Sequence, residues 1–191
     1  MGRAPAYDTA TVVASARNLF WKKGFDAVSL SDVEKATGLS RSSIYHAFGN
    51  MRGLFDAAVQ DYLDTVVRPR IRPLQAPDVA SDALARYLTG LADAIGRLGD
   101  SDEPTGCLLV GTAGTALGDD AAIRQVVGAY HAELLAAVTR GVAARFPDDD
   151  AETVAARATS IAGATIAAMT LARVDRREAI RLLDVTSAMI R

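Results

Sequence analysis

The chain has few of the residues that most often carry chemistry. One cysteine, Cys107, and two histidines occur among its 191 residues. A single thiol excludes an internal disulfide framework and any cysteine-based structural zinc site, and it fits a reducing compartment, the cytoplasm. Gly-rich phosphate loops, clusters of metal-ligating residues and serine-nucleophile motifs are lacking too, so neither a cofactor nor a metal is implied. With 15 Gly and 6 Pro the composition is neither collagen-like nor that of a linker, and 50% hydrophobic against 23% charged residues excludes wholesale disorder. No apolar signal core opens the chain. The longest uncharged stretch that raises a membrane question, Ala158 to Ala172, is broken by Thr159, Ser160, Thr165 and Thr170 and ends at Arg173. A spanning helix needs about 20 mostly apolar residues, so this stretch reads as buried in protein, with no membrane partner.

Runs of alternating β-branched residues are nearly missing as well. Helical periodicity takes their place, and the expected fold is all-α, with about nine helices in one or two packed domains. Charge divides unevenly along it. Residues 1–55 hold seven basic residues against four acids, a net of +3, while the rest holds 14 against 19, a net of −5. All three lysines, Lys22, Lys23 and Lys35, lie in the basic part. Such asymmetry points to different partners for the two parts, with a polyanion as the candidate for the first.

The spacing predicts a first helix from Asp8, which can cap it, to Lys23, with Val12, Val13, Ala16, Leu19 and Phe20 on one face and Gly24 as its stop. Ser29-Leu30-Ser31-Asp32 then begins a short second helix through a serine hydroxyl and a carboxylate three residues on. Thr37-Gly38-Leu39 closes it, and Ser40 caps a third that runs through Ala47. Leu30, Val33, Ala36, Leu39, Ile44 and Phe48 are the candidate core of this unit, with small Ala36 letting the helices approach. A fourth helix runs from Asn50 to Pro69, where the missing backbone donor ends it, and Arg68 to Asp78 reads as a connection. Further helices are expected at about 79–98, 104–116, 119–145, 151–173 and 176–190, separated by Gly99-Asp100, Gly118-Asp119 and Pro147-Asp148-Asp149-Asp150.

Residues 29–48 thus have the layout of a helix-turn-helix, with Gly38 at the turn where a positive φ is readily accepted. The second helix of the pair offers Arg41, Ser42, Ser43, Tyr45 and His46 on its outer side, a compact donor set suited to phosphates and base edges in a major groove. Here the chain resembles the TetR family of bacterial transcriptional regulators. The likeness covers residues 8–55: an amphipathic helix ending in Phe20 and Gly24-Phe25, a Ser29-led helix, the Ala36-Thr37-Gly38-Leu39-Ser40 turn, and Ile44-Tyr45-His46-Ala47-Phe48.

The resemblance implies a three-helix DNA-binding head, residues 1–49, and a helical regulatory and dimerisation domain, residues 50–191. It further implies a homodimer on a double-stranded operator, released by a small-molecule inducer, and hence a repressor rather than an enzyme. By position, Arg41 and Ser42 match base-reading residues, while Ser43, Tyr45 and His46 match phosphate ligands. Ser29 and Ser40, at helix N-termini, join the DNA set. Family members commonly carry Lys where this chain has Met51, and adjacent Arg52 is the candidate substitute.

For the second domain, candidate ligand residues are Tyr62, Tyr87, Leu91, Cys107, Leu109, Tyr130 and His131, all of which could equally be core. Only Tyr62, Tyr87, Tyr130 and Phe146 are aromatic beyond residue 55, which argues against a large flat ligand held by stacking. Cys107 begins an apolar run and reads as a small buried residue in the first turn of a helix. Paired with His131, it also supports the alternative of a small-molecule-binding or thiol-reactive helical protein that does not bind DNA. Small residues at three- and four-residue spacings, Ala158, Ala162, Gly163, Ile166, Ala167 and Thr170, with Ile180 and Leu183 of the last helix, are the candidate dimer interface.

Overall fold

The computed structural model of the chain describes residues 8–97 and 103–190. The expected break at Gly99-Asp100 lies outside the described residues. Among those residues the structure is helical, with no strand. In chain order the helices are α1 Thr9–Lys23, α2 Leu30–Thr37, α3 Arg41–Phe48, α4 Met51–Tyr62 with its continuation, α5 Ala83–Arg97, α6 Leu108–Ala113, α7 Ala121–Arg145, α8 Ala151–Leu171 and α9 Arg176–Ala188.

Local chemistry sets the ends of the first three helices. The Asp8 carboxylate accepts from the N–H groups of Ala10 and Thr11, each at 3.2 Å, and Gly24 closes α1 at φ 80°. A capping box joins Ser29 and Asp32 at the start of α2, and Gly38 turns the chain at φ 72°, a left-handed conformation that only glycine adopts without strain. Ser40 accepts from the Ser43 N–H to begin α3. Val33, Leu39 and Ile44 are buried between these helices, as the sequence implies, with Leu30 and Phe48 packed beside them. Ala36 is exposed instead. Helix approach therefore does not rest on its small side chain.

The fourth helix does not stop at Pro69. A π-helical turn, Leu63–Val67, follows Tyr62, and an α-helical turn, Arg68–Ile71, carries the proline near its start before a 3₁₀ turn, Arg72–Gln75. The register change places the missing N–H at the opening of a new turn, where no intrahelical partner is required of it. The segment expected to be a connection thus extends α4. Expected helix 104–116 is shorter as well: α6 ends at Ala113, and a separate 3₁₀ turn covers Ala116–Asp119.

Helix α4 packs against α1 and α3, and the seam between them is aromatic. Phe20 meets Phe55 edge-on at 5.2 Å and 87°, and Phe25 lies 5.0 Å from Phe55. Beyond the seam, α7 packs on α8, and α9 closes against both α5 and α8. Helix α8 is long and apolar enough to cross a membrane by length and composition, yet only 28% of its apolar window is buried within the chain. It is therefore buried on one face and uncovered on the other, not enclosed all round as its composition implies.

Phe55→Ala tests the seam. The ring is fully buried, and removing such a ring from a packed core costs about 3–5 kcal/mol. Urea unfolding of the variant should show that loss, and a change below about 1 kcal/mol would place the seam outside the cooperative core.

Candidate nucleic-acid interface and ligand cavity

On α3, buried Ile44 anchors the inner face, and Arg41, Ser42, Tyr45 and His46 stand exposed on the other. Their i, i+4 pairing makes one continuous strip. The Arg41 guanidinium lies 5.5 Å from the Tyr45 ring centroid, a cation–π contact that orients both side chains along the strip. Behind it, Glu34 of α2 accepts the Arg41 backbone N–H at 2.7 Å, pinning the start of α3 to α2. Ser40, Ser42 and Ser43 hydroxyls share hydrogen bonds of 3.0 Å, with Ser43 half-buried. Ser29 is exposed at the start of α2, where its hydroxyl donates to Asp32 at 2.6 Å. The Lys23 ammonium 2.7 Å away, with the Ser29 hydroxyl and backbone N–H, holds the Asp32 carboxyl well below the usual carboxylate range.

Arg52 departs from its expected place in the DNA set. Its Nε donates to Asp56 at 2.8 Å and its Nη2 to Asp120 at 2.9 Å, and Asp120 is the residue that caps α7. The guanidinium is thus paired within the chain, which weighs against the expected phosphate role. It is a clasp between α4 and α7. Nothing in the local sequence marks it, because its partner lies 68 residues away.

A cavity of about 340 Å³ lies beneath the head. Of the seven candidate ligand residues, Tyr62, Tyr87, Leu91, Cys107 and Tyr130 line it. Leu109 is fully buried elsewhere in the core, and His131 is exposed on the outer side of α7, one residue past buried Tyr130. Helical geometry turns adjacent residues about 100° apart, so the Cys107–His131 pair of the alternative reading does not form. Cys107 is buried at the N-cap of α6, and its thiol donates to the Tyr130 hydroxyl at 3.9 Å. Burial pushes the Tyr62, Tyr87 and Tyr130 hydroxyls up from the ordinary tyrosine value, which keeps them protonated donors.

Two lining residues come from outside the expected domain: Asn18 and Trp21 belong to α1 of the head. Trp21 meets Tyr62 edge-on at 4.8 Å, so the cavity gathers four aromatic side chains. A count of aromatics beyond residue 55 misses the indole because the first helix folds back over the body.

The candidate dimer residues divide between two faces. Ala158, Ala162 and Leu183 are buried inside the chain, and the Ile180 side chain lies against α5, 3.8 Å from where a Cβ on Gly96 would sit. All four are taken up by the intrachain core. Gly163, Ala167 and Thr170 are exposed and Ile166 is half-buried. Ala155, Thr159, Val185 and Met189 are exposed as well. Small residues run round most of α8, so composition could not say which side the chain itself covers.

The fold and the placement of these residues define an all-α protein with an N-terminal helix-turn-helix and a cavity-bearing helical body. Comparison with known proteins agrees. The pattern of "Bacterial regulatory proteins, tetR family" matches residues 12–58. The HTH-type transcriptional repressor ComR of Escherichia coli (strain K12) is 30% identical over 132 residues, 69% of this chain and 61% of ComR. The HTH-type transcriptional repressor BdcR of the same organism is 29% identical over 57% of this chain and 54% of BdcR. Each match spans less than two thirds of the curated relative. A cysteine mutant of the TetR family transcriptional regulator CifR, solved with 26-base-pair double-strand operator DNA, is 28% identical with a TM-score of 0.77, over 97% of this chain and 98% of that one. Residues 12–58 thus carry the pattern of the TetR family of bacterial transcriptional regulators, and the chain as a whole has the fold of a solved TetR-family regulator.

The clasp gives a pH dependence with a definite sign. Hydrogen bonding to Arg52 lowers the Asp120 carboxyl to about 2. A carboxylate depressed by folding contributes stability that is fully present above its unfolded value, about 3.9. That contribution is lost as pH falls through about 2. Carboxyl-detected NMR should place the Asp120 midpoint near this low value in the wild type and nearer the ordinary range in Arg52→Gln. Identical midpoints in the two proteins would remove the clasp as the cause.

Proposed function

We propose that this chain is a DNA-binding transcriptional repressor that holds a palindromic double-stranded operator as a homodimer and releases it when a small molecule enters the cavity. Residues 1–49 form the reading head and residues 50–191 the regulatory and dimerisation body. The protein acts in the cytoplasm, without a membrane partner and without catalysing a reaction.

The observation that carries this reading is the exposed donor strip of α3, backed by a buried Ile44 and braced by Glu34. Arg41 and Ser42 reach base edges from the start of the helix. Ser43, Tyr45 and His46, with Ser29 and Ser40 at helix N-termini, take phosphates, which fix orientation but carry no sequence information. The uncovered face of α8 and α9 supports the homodimer, since Val185 and Met189 stand 51% and 74% exposed beside it. Two heads then meet two half-sites about one turn of duplex apart, or slightly more. The thiol-reactive alternative loses its main support with His131 on the far side of α7.

Arg41→Ala should weaken operator binding by about 1–3 kcal/mol and relax preference at one base pair per half-site. Tyr45→Phe should lower affinity without altering preference. Gel shifts on DNA flanking the gene, repeated on a panel of single-base operator variants, separate the two. A wild-type selectivity profile in Arg41→Ala would take that residue out of base reading.

Gly163→Arg tests the assembly. A Cβ on Gly163 would meet nothing within 4 Å in its own chain, so the substitution should leave the subunit folded while obstructing a partner. Sedimentation should show a monomer that binds the operator weakly. An intact dimer would move the interface away from this face.

A further inference from the structure

Trp21 forms part of the cavity wall, and its indole Nε1 is buried with no hydrogen-bond partner among the described residues. Buried N–H groups are nearly always paired, because leaving one unmade forfeits its bonds to water. The other buried polar groups of the wall belong to uncharged side chains, chiefly the three tyrosine hydroxyls and the Cys107 thiol. Two charged residues, Arg70 and Glu103, also line it, but they are exposed and of opposite sign, and the Arg70 guanidinium already donates to the Val66 carbonyl. An ionic ligand would lose its hydration here without a buried counter-ion. The remaining wall is aromatic and aliphatic, and about 340 Å³ lies at the small end of ligand cavities.

We infer that the cavity takes an uncharged, ring-sized molecule bearing an acceptor oxygen, that this oxygen accepts the unpaired Trp21 N–H, and that this bond carries occupancy to the head. The inference rests on reading the cavity as the inducer site. Trp21 belongs to the last turn of α1, whose end is held from the body: Arg173 donates to the carbonyls of Trp21 and Lys22 at 3.4 and 3.3 Å. The stem of Arg173 in turn lies against Gly106, where a Cβ would come within 2.9 Å of its Cγ. A ligand bonded to Trp21 therefore acts on a helix end that the body already grips and that packs directly on α2 and α4. It shifts the head only through a difference in affinity between head positions.

The experiment uses the full chain and three probes of similar size: 1-tetralone, neutral with a carbonyl; tetralin, neutral without one; and 1-naphthoate, an anion. Trp21 is the only tryptophan in the sequence, so its emission reports occupancy in the wild type, and calorimetry gives affinities in both wild type and Trp21→Phe. That variant keeps a ring against Tyr62 and deletes the N–H. The wild type should bind 1-tetralone about tenfold tighter than tetralin, the worth of one buried hydrogen bond, and 1-naphthoate more weakly still. In Trp21→Phe the ketone preference should shrink to about threefold or less, with tetralin binding retained as the check that the cavity is intact. Equal wild-type affinities for ketone and hydrocarbon, preference for the anion, no binding of 1-tetralone up to its solubility, or an unchanged preference in the variant would each overturn the inference.

Gel shifts with 1-tetralone read the second half: the wild type should leave the operator, while ketone-saturated Trp21→Phe should remain on it, and release of both alike would remove Trp21 from transmission. Failure to bind DNA at all would defeat the regulatory reading and leave the ketone preference standing, so the two can fail separately.

Discussion

The packing of Phe20 and Phe25 on Phe55 is the contact on which both sites depend. It fixes α1 across α4, and every element the head presents outward is positioned from that pair. Helix α3 reaches the body through α4 and reaches α1 through the small core around Ile44 and Val33. Because Phe20 and Phe55 are fully buried and interlocked, a displacement of α4 at one end is felt by α1 rather than absorbed between them. Polar contacts flank the seam. Arg17 of α1 donates to Asp61 at 2.6 Å and to Thr65 at 2.8 Å, both on the fourth helix or its continuation.

Head and body therefore share their helices. The first helix contributes Asn18 and Trp21 to the cavity, and the fourth contributes Tyr62 and, through its continuation, Val66 and Ile71. A boundary drawn at residue 49 separates the reading surface from the rest of the chain but divides a single packed seam. Contacts from head to body include the aromatic seam, the Arg17 bonds to Asp61 and Thr65, the Trp21–Tyr62 ring contact and the Arg173 bonds to the end of α1, while the Arg52–Asp120 clasp ties α4 to α7. Movement of the head relative to the body acts on these contacts together.

Much of the head was legible because its signals are local. Asp8, Ser29, Gly38 and Ser40 each act within four residues of their own position, so cap chemistry placed α1, α2 and α3 to within a residue or two. The exposed strip of Arg41, Ser42, Tyr45 and His46 on α3 followed from the same register. What escaped the sequence depends on distant partners or on competition between faces. Arg52 is a basic residue beside a DNA-binding motif, and only the fold brings Asp120 to it. Trp21 sits on an amphipathic helix of the head, and only the fold brings its ring to the cavity wall. Pro69 ends a regular α-helix in principle, but a π turn just before it shifts the register and lets the rod continue. On α8, residues three and four apart are equally small on opposite sides, and the core took Ala158 and Ala162 while leaving Gly163 and Ala167 outside.

In the proposed dimer, ligand and operator communicate through the separation of the two α3 helices. Nitroxide labels on Ala47→Cys, an exposed α3 position outside the proposed DNA set, in a Cys107→Ser background, one per subunit, measure that separation directly by pulsed dipolar spectroscopy. On operator DNA the account predicts a single narrow distance matching the half-site spacing, about 34–36 Å or slightly more, and a shifted distribution once the cavity is filled. One distance, unchanged between the DNA-bound and the ligand-filled protein, would contradict it.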